Sequence, residues 1–128
     1  MTTVYIVIGL ALVQFFIFGL LVGSARVKYQ VKAPSISGDP IFERYYRVHY
    51  NTMEQLVVFV PAMLMFGNYI NPTAAAVLGL VFIVGRVVYF RGYVADPAKR
   101  ATGFGLSVMP VMILLLGGLG GALWSVIG

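Results

Sequence analysis

The first 25 residues carry no charged side chain, and three further segments rich in apolar residues follow them along the chain. A helix needs about 20 apolar residues to cross the hydrocarbon core of a bilayer, so this feature predicts transmembrane helices. Turns containing proline separate the segments, around Pro34 and Pro40, at Asn71-Pro72 and at Asp96-Pro97. The sequence therefore predicts an all-α integral membrane fold, a single-domain bundle of four helices that span about residues 3–28, 41–68, 72–94 and 97–127.

The composition also belongs to the membrane class. Hydrophobic residues make up 60% of the chain and charged residues 10%, whereas soluble domains have about 45–50% and about 25%. The net charge of +5 would suit a nucleic-acid binder, but no binding motif accompanies it, so we predict no nucleic-acid partner. The chain has no cysteine, which removes disulfides and thiolate sites, and we predict no metal. The N-terminal segment lacks the positive region of a removable signal peptide.

All the charged side chains fall at one end of the predicted bundle. With four spans, the first and third connections lie on one side of the membrane, and the positive-inside rule makes that side cytoplasmic. Glu54 and Arg86 stand a turn or more inside their segments, where a charge costs roughly 2.5–3.5 kcal/mol, so both are candidate functional residues. The basic residues on this side are Arg26, Lys28, Lys32, Arg44, Arg47, Arg86, Arg91, Lys99 and Arg100.

The first half of helix two carries a polar face. Its charged and amide side chains recur every three or four residues and therefore share one side of the helix. Neighbouring helices offer similar groups near the same end of the bundle. The residues in helix two are Arg44, Arg47, Asn51 and Glu54, and the others are Arg86, Tyr89 and Tyr93 in helix three, with Arg26 and Arg100 at the ends of helices one and four.

These side chains predict a pocket for a small ligand with more than one carboxylate and one amine. Guanidinium groups bind carboxylates in a bidentate manner, and a single glutamate among them suits an ammonium group. The alternative is a structural network of ion pairs, joining Glu54 to Arg47 or Arg86. His49 falls on a different face of helix two, which by spacing alone indicates packing or an interfacial position.

Two motifs resemble those of a known membrane family. Residues 42–54 read FERYYRVHYNTME, and residues 85–93 read GRVVYFRGY, followed by PAKR at 97–100. Both are similar to motifs of the MAPEG superfamily, the membrane-associated proteins in eicosanoid and glutathione metabolism. The likeness is to the microsomal glutathione transferases of types two and three and to leukotriene C synthase. Together with the four helices and the length, it extends over effectively the whole chain.

The resemblance implies a homotrimer that binds glutathione between neighbouring subunits near the cytoplasmic face. It implies that Arg100 is the catalytic residue and faces the glutathione sulfur. Arg26 and His49 would reach the same glutathione from the next subunit. The other residues implied for glutathione binding are Arg47, Asn51, Glu54, Arg86, Tyr89 and Tyr93.

The function implied is a glutathione transferase, also with peroxidase activity, that attacks lipophilic electrophiles or lipid hydroperoxides arriving from the bilayer. Two alternatives are a non-catalytic lipid-binding scaffold and a glutathione-dependent isomerase of the prostaglandin E synthase type. Val27 replaces an arginine of leukotriene C synthase and argues against that specialised enzyme, while Gln55 replaces an aromatic residue next to the site. A bacterial inner membrane is favoured over the endoplasmic reticulum, since the chain is compact and has no retrieval signal.

Overall fold

The fold, seen in a computed structural model that describes all 128 residues, contains only helices. Three of them are long and apolar enough to span a membrane, namely the first, the third and the segment Pro97–Ile127. The second helix does not meet this criterion, because its first half is polar. The helices are α1 (Thr2–Tyr29), α2 (Pro40–Tyr69), α3 (Pro72–Ala95) and α4 (Ala101–Ile127). The protein is therefore an all-helical integral membrane protein.

The helix starts are defined by side-chain caps. The Asp39 carboxylate accepts hydrogen bonds from the N–H groups of Ile41 and Phe42, both at 2.9 Å. The Asn71 side chain accepts one from the N–H of Ala74 at 2.9 Å. A proline follows each cap in the first turn, where its missing N–H costs nothing. Before α4 the chain makes a 3-10 turn over Pro97–Lys99, so the regular helix begins four residues later than the sequence predicts.

Removing the cap of α2 should weaken the fold measurably. We expect Asp39→Ala to lower the free energy of unfolding by about 1 kcal/mol, because two N–H groups lose their acceptor. Thermal unfolding of the detergent-solubilised protein, followed by circular dichroism, measures this loss. Asp39→Asn is the matched control, since its amide oxygen can still accept both bonds. An equally large loss in the control would contradict the role assigned to the cap.

The four helices alternate in direction. The C-terminal ends of α1 and α3 therefore lie at the same end of the bundle as the N-terminal ends of α2 and α4. Phe42, near the start of α2, packs against Val22 and Ala25 near the end of α1. Arg44 donates through Nη1 to the carbonyl oxygens of Val94 at 3.0 Å and Ala95 at 3.2 Å, at the end of α3. The charged ends of all four helices therefore meet at one end of the bundle.

Two glycines bring α3 and α4 into backbone contact near this charged end. A Cβ atom on Gly85 would lie 2.7 Å from the carbonyl carbon of Leu106, and one on Gly103 would overlap the backbone of Tyr89. Only glycine permits such an approach. The contact holds Tyr89 directly against the first turns of α4.

Two further pairs of glycines are spaced four residues apart, Gly19 with Gly23 and Gly117 with Gly121, and three of these four glycines make contacts within the chain. Gly117 lies against the ring of Phe66, and Gly121 lies against Tyr69, so this pair packs α4 on α2. Gly19 lies under the imidazole of His49, whereas a side chain at Gly23 would meet no atom within 4 Å.

Candidate functional site

An open cavity of about 860 Å³ lies at the charged end of the bundle. This volume falls within the range of about 300–1,000 Å³ that is usual for small-molecule sites. Three helices and the connection between α1 and α2 form its walls. The lining residues are Ile36 and Ser37 in the connection, Glu43, Tyr46, Arg47, Tyr50, Asn51 and Glu54 in α2, Tyr89 and Tyr93 in α3, and Arg100 and Phe104 at the start of α4.

The cavity brings together six of the nine site residues predicted from the sequence. They are Arg47, Asn51, Glu54, Tyr89, Tyr93 and Arg100. The helical period of α2 accounts for the first three, and the α3–α4 contact accounts for the others. Arg44 was predicted on the same face of α2, but its side chain turns away to the carbonyl groups at the end of α3.

Aromatic rings and a helix start face the cavity from α3 and α4. The ring centroids of Tyr89 and Tyr93 are 5.6 Å apart, and those of Tyr89 and Phe104 are 6.2 Å apart. Arg100 is the residue immediately before α4, and it donates through Nη1 to the carbonyl oxygen of Pro97 at 3.4 Å. Since Arg100 and Phe104 both line the cavity, its wall includes a guanidinium and the first turn of α4. The positive charge and the positive end of the helix dipole favour an anion there.

Arg86 lies behind the cavity wall and is completely buried. It donates through Nε to Ser107 Oγ at 2.9 Å, and through Nη1 to Asn51 Oδ1 at 2.7 Å and Thr52 Oγ1 at 3.3 Å. All three partners are uncharged, so an ion pair with Glu54 is not what holds Arg86 in place. Of these four residues only Asn51 also lines the cavity.

Arg26 and His49 lie outside the cavity. Arg26 donates through Nη1 to the carbonyl oxygen of Ser35 at 2.6 Å, and its guanidinium carbon lies 4.8 Å from the centre of the Phe42 ring. The His49 ring stacks on Phe15 with a centroid distance of 4.5 Å. The fold of this chain therefore does not bring these two predicted ligand groups to the cavity.

The structure adds six lining residues that sequence reasoning missed. Glu43 and Tyr50 stand four residues before and three residues after Arg47, and therefore continue the periodicity of the polar face. Tyr46 is part of the recognised motif. Following the helical repeat of α2 in both directions from Arg47 would have identified Glu43, Tyr46 and Tyr50. The others are Ile36, Ser37 and Phe104, which carry no comparable signal. No group of three His, Cys, Asp or Glu side chains is close enough together to hold a metal ion.

Fold and cavity together define a class, a small helical membrane protein with a cavity at one end that is lined by two arginines, two glutamates and several tyrosines. The family model that describes the MAPEG family matches residues 3–120. The chain belongs to the MAPEG family, which confirms the family predicted from the motifs at residues 42–54 and 85–93.

Three relatives illustrate the range of similar proteins. An uncharacterized protein of Synechocystis is 42% identical over 120 residues, covering 94% of this chain and 88% of the relative. The human protein named microsomal glutathione S-transferase 2 is 45% identical over 104 residues, covering 80% of this chain and 71% of the relative. The bovine leukotriene C4 synthase is 37% identical over 83 residues, covering 65% of this chain and 55% of the relative.

Proposed function

We propose that this protein is a membrane-bound glutathione transferase, which binds glutathione as a thiolate and transfers it to lipophilic electrophiles. The observation that carries the proposal is the convergence of Arg47, Asn51, Glu54, Tyr93 and Arg100 on one cavity. The name of the human relative, microsomal glutathione S-transferase 2, supports glutathione as the ligand.

The chemistry of the cavity complements that of glutathione. The tripeptide carries two carboxylates, one ammonium group and one thiol. Arg47 and the tyrosine hydroxyl groups suit carboxylates, since guanidinium binds them bidentately and phenols donate hydrogen bonds. Glu54 suits the ammonium group. Arg100, beside the free N–H groups of α4, suits the sulfur.

The proposed role of Arg100 is to make the sulfur negative. A cysteine-type thiol has a pKa of about 8.5, so only a few per cent is thiolate at neutral pH. Lowering that pKa by about 2 units requires about 2.7 kcal/mol of stabilisation that favours the anion. A guanidinium together with a helix N-terminus can supply this in a partly dry site, and solvent accepts the proton. The thiolate then attacks an electrophilic carbon.

The same thiolate would reduce lipid hydroperoxides. Attack on the peroxide oxygen would release an alcohol, and a second glutathione would complete the reaction by forming glutathione disulfide and water. Both classes of second substrate dissolve in the bilayer and would enter from it. The basic residues near the cavity support, by the positive-inside rule, our proposal that the site lies at the cytoplasmic face of a bacterial inner membrane.

A homotrimer would complete the site. Arg26 and His49 lie outside the cavity of their own subunit, and we propose that they contact the glutathione bound in the cavity of the neighbouring subunit. The exposed apolar side chains of the helices are consistent with contacts to neighbours and lipid. Cross-linking or mass measurement of the detergent-solubilised protein tests the subunit number, and a monomer that binds glutathione with full affinity would contradict this arrangement.

The transferase proposal is tested by mixing the purified protein with glutathione and an aryl halide. We expect the thioether conjugate and one halide ion per glutathione consumed. A parallel assay with a lipid hydroperoxide measures peroxidase activity. An isomerase would leave glutathione unconsumed, and a scaffold would form no product. Failure to bind glutathione in calorimetry on the intact oligomer would overturn the proposal.

Glu54→Gln should weaken glutathione binding at least tenfold, because hydrogen bonds to charged groups are worth about 1.5–3 kcal/mol. Calorimetry measures the affinity. The matched control is N-acetylglutathione, which lacks the ammonium group and should bind the wild type and the variant equally. If the variant bound glutathione as tightly as the wild type, Glu54 would not contact the ammonium group of glutathione.

A further inference from the structure

We propose that Arg86 is a positioning residue that holds Asn51 as a hydrogen-bond donor toward the cavity, so that this point of the site takes a carboxylate oxygen of the ligand. The identity of that ligand rests on the function proposed above. The orientation of the Asn51 side chain does not rest on that function, because it follows from contacts inside the protein.

The orientation of the Asn51 amide is set by the chemistry of its partner. Arg86 Nη1 lies 2.7 Å from Asn51 Oδ1, and a guanidinium has donors but no acceptor. The amide oxygen must therefore face Arg86, and the amide nitrogen with its two N–H groups is left for other partners. Because Asn51 also lines the cavity, those N–H groups are the ones available to a ligand.

Arg86 itself is held in place by its surroundings. Ser107 Oγ donates to the carbonyl oxygen of Gly103 at 2.7 Å, and Thr52 Oγ1 donates to that of Val48 at 2.7 Å. Both hydroxyl protons are thereby committed to the backbone of their own helices, so both oxygens can only accept from Arg86. The guanidinium carbon also lies 4.4 Å from the centre of the Tyr89 ring. The guanidinium therefore has one orientation, and it imposes one orientation on the amide.

The charge of Arg86 points to an anion rather than a neutral carbonyl. All its hydrogen-bond acceptors are neutral, and its Nη2 atom is buried without any partner. A buried charge without a counter-ion is costly in a membrane protein. A carboxylate that accepts from Asn51 would lie on the far side of the amide from this cation and would be attracted to it. An ammonium group at the same point would meet two N–H donors and a positive field.

The decisive variant is Asn51→Asp. The aspartate can still accept from Arg86, and it gives the buried cation a counter-ion, so we expect a higher Tm than the wild type in the absence of glutathione. The cavity loses its donor, so glutathione affinity should fall at least tenfold. A lower Tm without ligand, or unchanged affinity, would overturn the proposal.

A change of ligand preference separates positioning from mere structural support. The wild type should bind glutathione more tightly than either of its two monoamides, each with one carboxylate converted to a carboxamide. Asn51→Asp should instead prefer one of these amides to glutathione, because a carboxamide can donate to the new carboxylate. If both proteins ranked the three ligands in the same order, the assignment would be wrong.

Gln14→Leu is the control, since Gln14 is a buried polar side chain that donates to the carbonyl oxygen of Ile83 at 2.9 Å and neither bonds to Arg86 nor lines the cavity. It should change glutathione affinity by less than about twofold. If Asn51→Asp does not assemble, Asn51→Ala takes its place, and the preference of the wild type for glutathione over the matching amide should then shrink. An undiminished preference would overturn the proposal. Absence of glutathione binding to the wild type would instead refute the proposed function, and the Tm comparison would still test the orientation of Asn51.

Discussion

Replacing Arg100 by methionine should remove the thiolate signal of bound glutathione and reduce kcat/KM for conjugation about 100-fold. Methionine keeps the length and apolar stem of arginine but supplies no charge. The loss corresponds to about 2.7 kcal/mol of anion stabilisation, the amount needed to lower a thiol pKa by about 2 units. Thiolate absorbance in the ultraviolet, titrated against pH, measures the effect directly. The apparent pKa of the bound thiol should return toward about 8.5, so the activity lost at neutral pH should recover partly as the pH rises.

Lys99→Met is the matched control for this prediction. Lys99 is the neighbouring cation, but it does not line the cavity, so its removal should leave the thiolate signal and the affinity unchanged. Arg100→Lys should retain part of the signal, because a positive charge remains although its shape differs. If Arg100→Met showed the same thiolate pKa as the wild type, Arg100 would have no part in the mechanism.

The second large effect is expected from Gly103→Ala, which adds a single methyl group at the α3–α4 contact. That methyl group would overlap the backbone of Tyr89, and backbone atoms cannot move aside as a flexible side chain can. Overpacking usually costs about 1–3 kcal/mol, and a backbone overlap belongs at the upper end of that range. The start of α4 should separate from α3, which would move Arg100 and Phe104 away from Tyr89.

We therefore expect Gly103→Ala to lower both Tm and glutathione affinity. Gly105→Ala is the control, because a methyl group there meets no atom within 4 Å. Alanine is better than glycine in a helix interior by about 1 kcal/mol, so this variant should be as stable as the wild type or more so. Equal behaviour of the two variants would show that the close approach at Gly103 is not needed for the site.

The helices were predictable from the sequence because their causes are local. Apolar segments longer than the bilayer core, separated by turns that contain proline, predict helices wherever they occur. The polar face of α2 was equally accessible, since Arg47, Asn51 and Glu54 follow the helical period. Sequence reasoning found these because each depends only on spacing along one helix.

Contacts between helices were less predictable because they depend on rotation and depth. Arg44 shares the spacing of Arg47, yet it caps the end of α3 because that end lies within its reach. The burial of Arg86 among hydroxyl groups depends on the approach of α4 at Gly85 and Gly103, and this approach cannot be deduced from spacing along one helix. His49 stacks on Phe15 because Gly19 leaves room for its ring, and this is a property of two helices together.

The main hydrophobic core and the cavity occupy different parts of the bundle along its long axis. The main hydrophobic cluster, centred on the stacked rings of Phe59 and Phe82 at 4.1 Å, shares no residue with the cavity wall. Apart from Tyr89 and Asn51, which pack against or bond to Arg86, the side chains that face the cavity can therefore be exchanged with little loss to the main hydrophobic cluster. Such a molecule is suited to acquire new substrates by substitution near one membrane surface, while its anchor within the lipid stays unchanged.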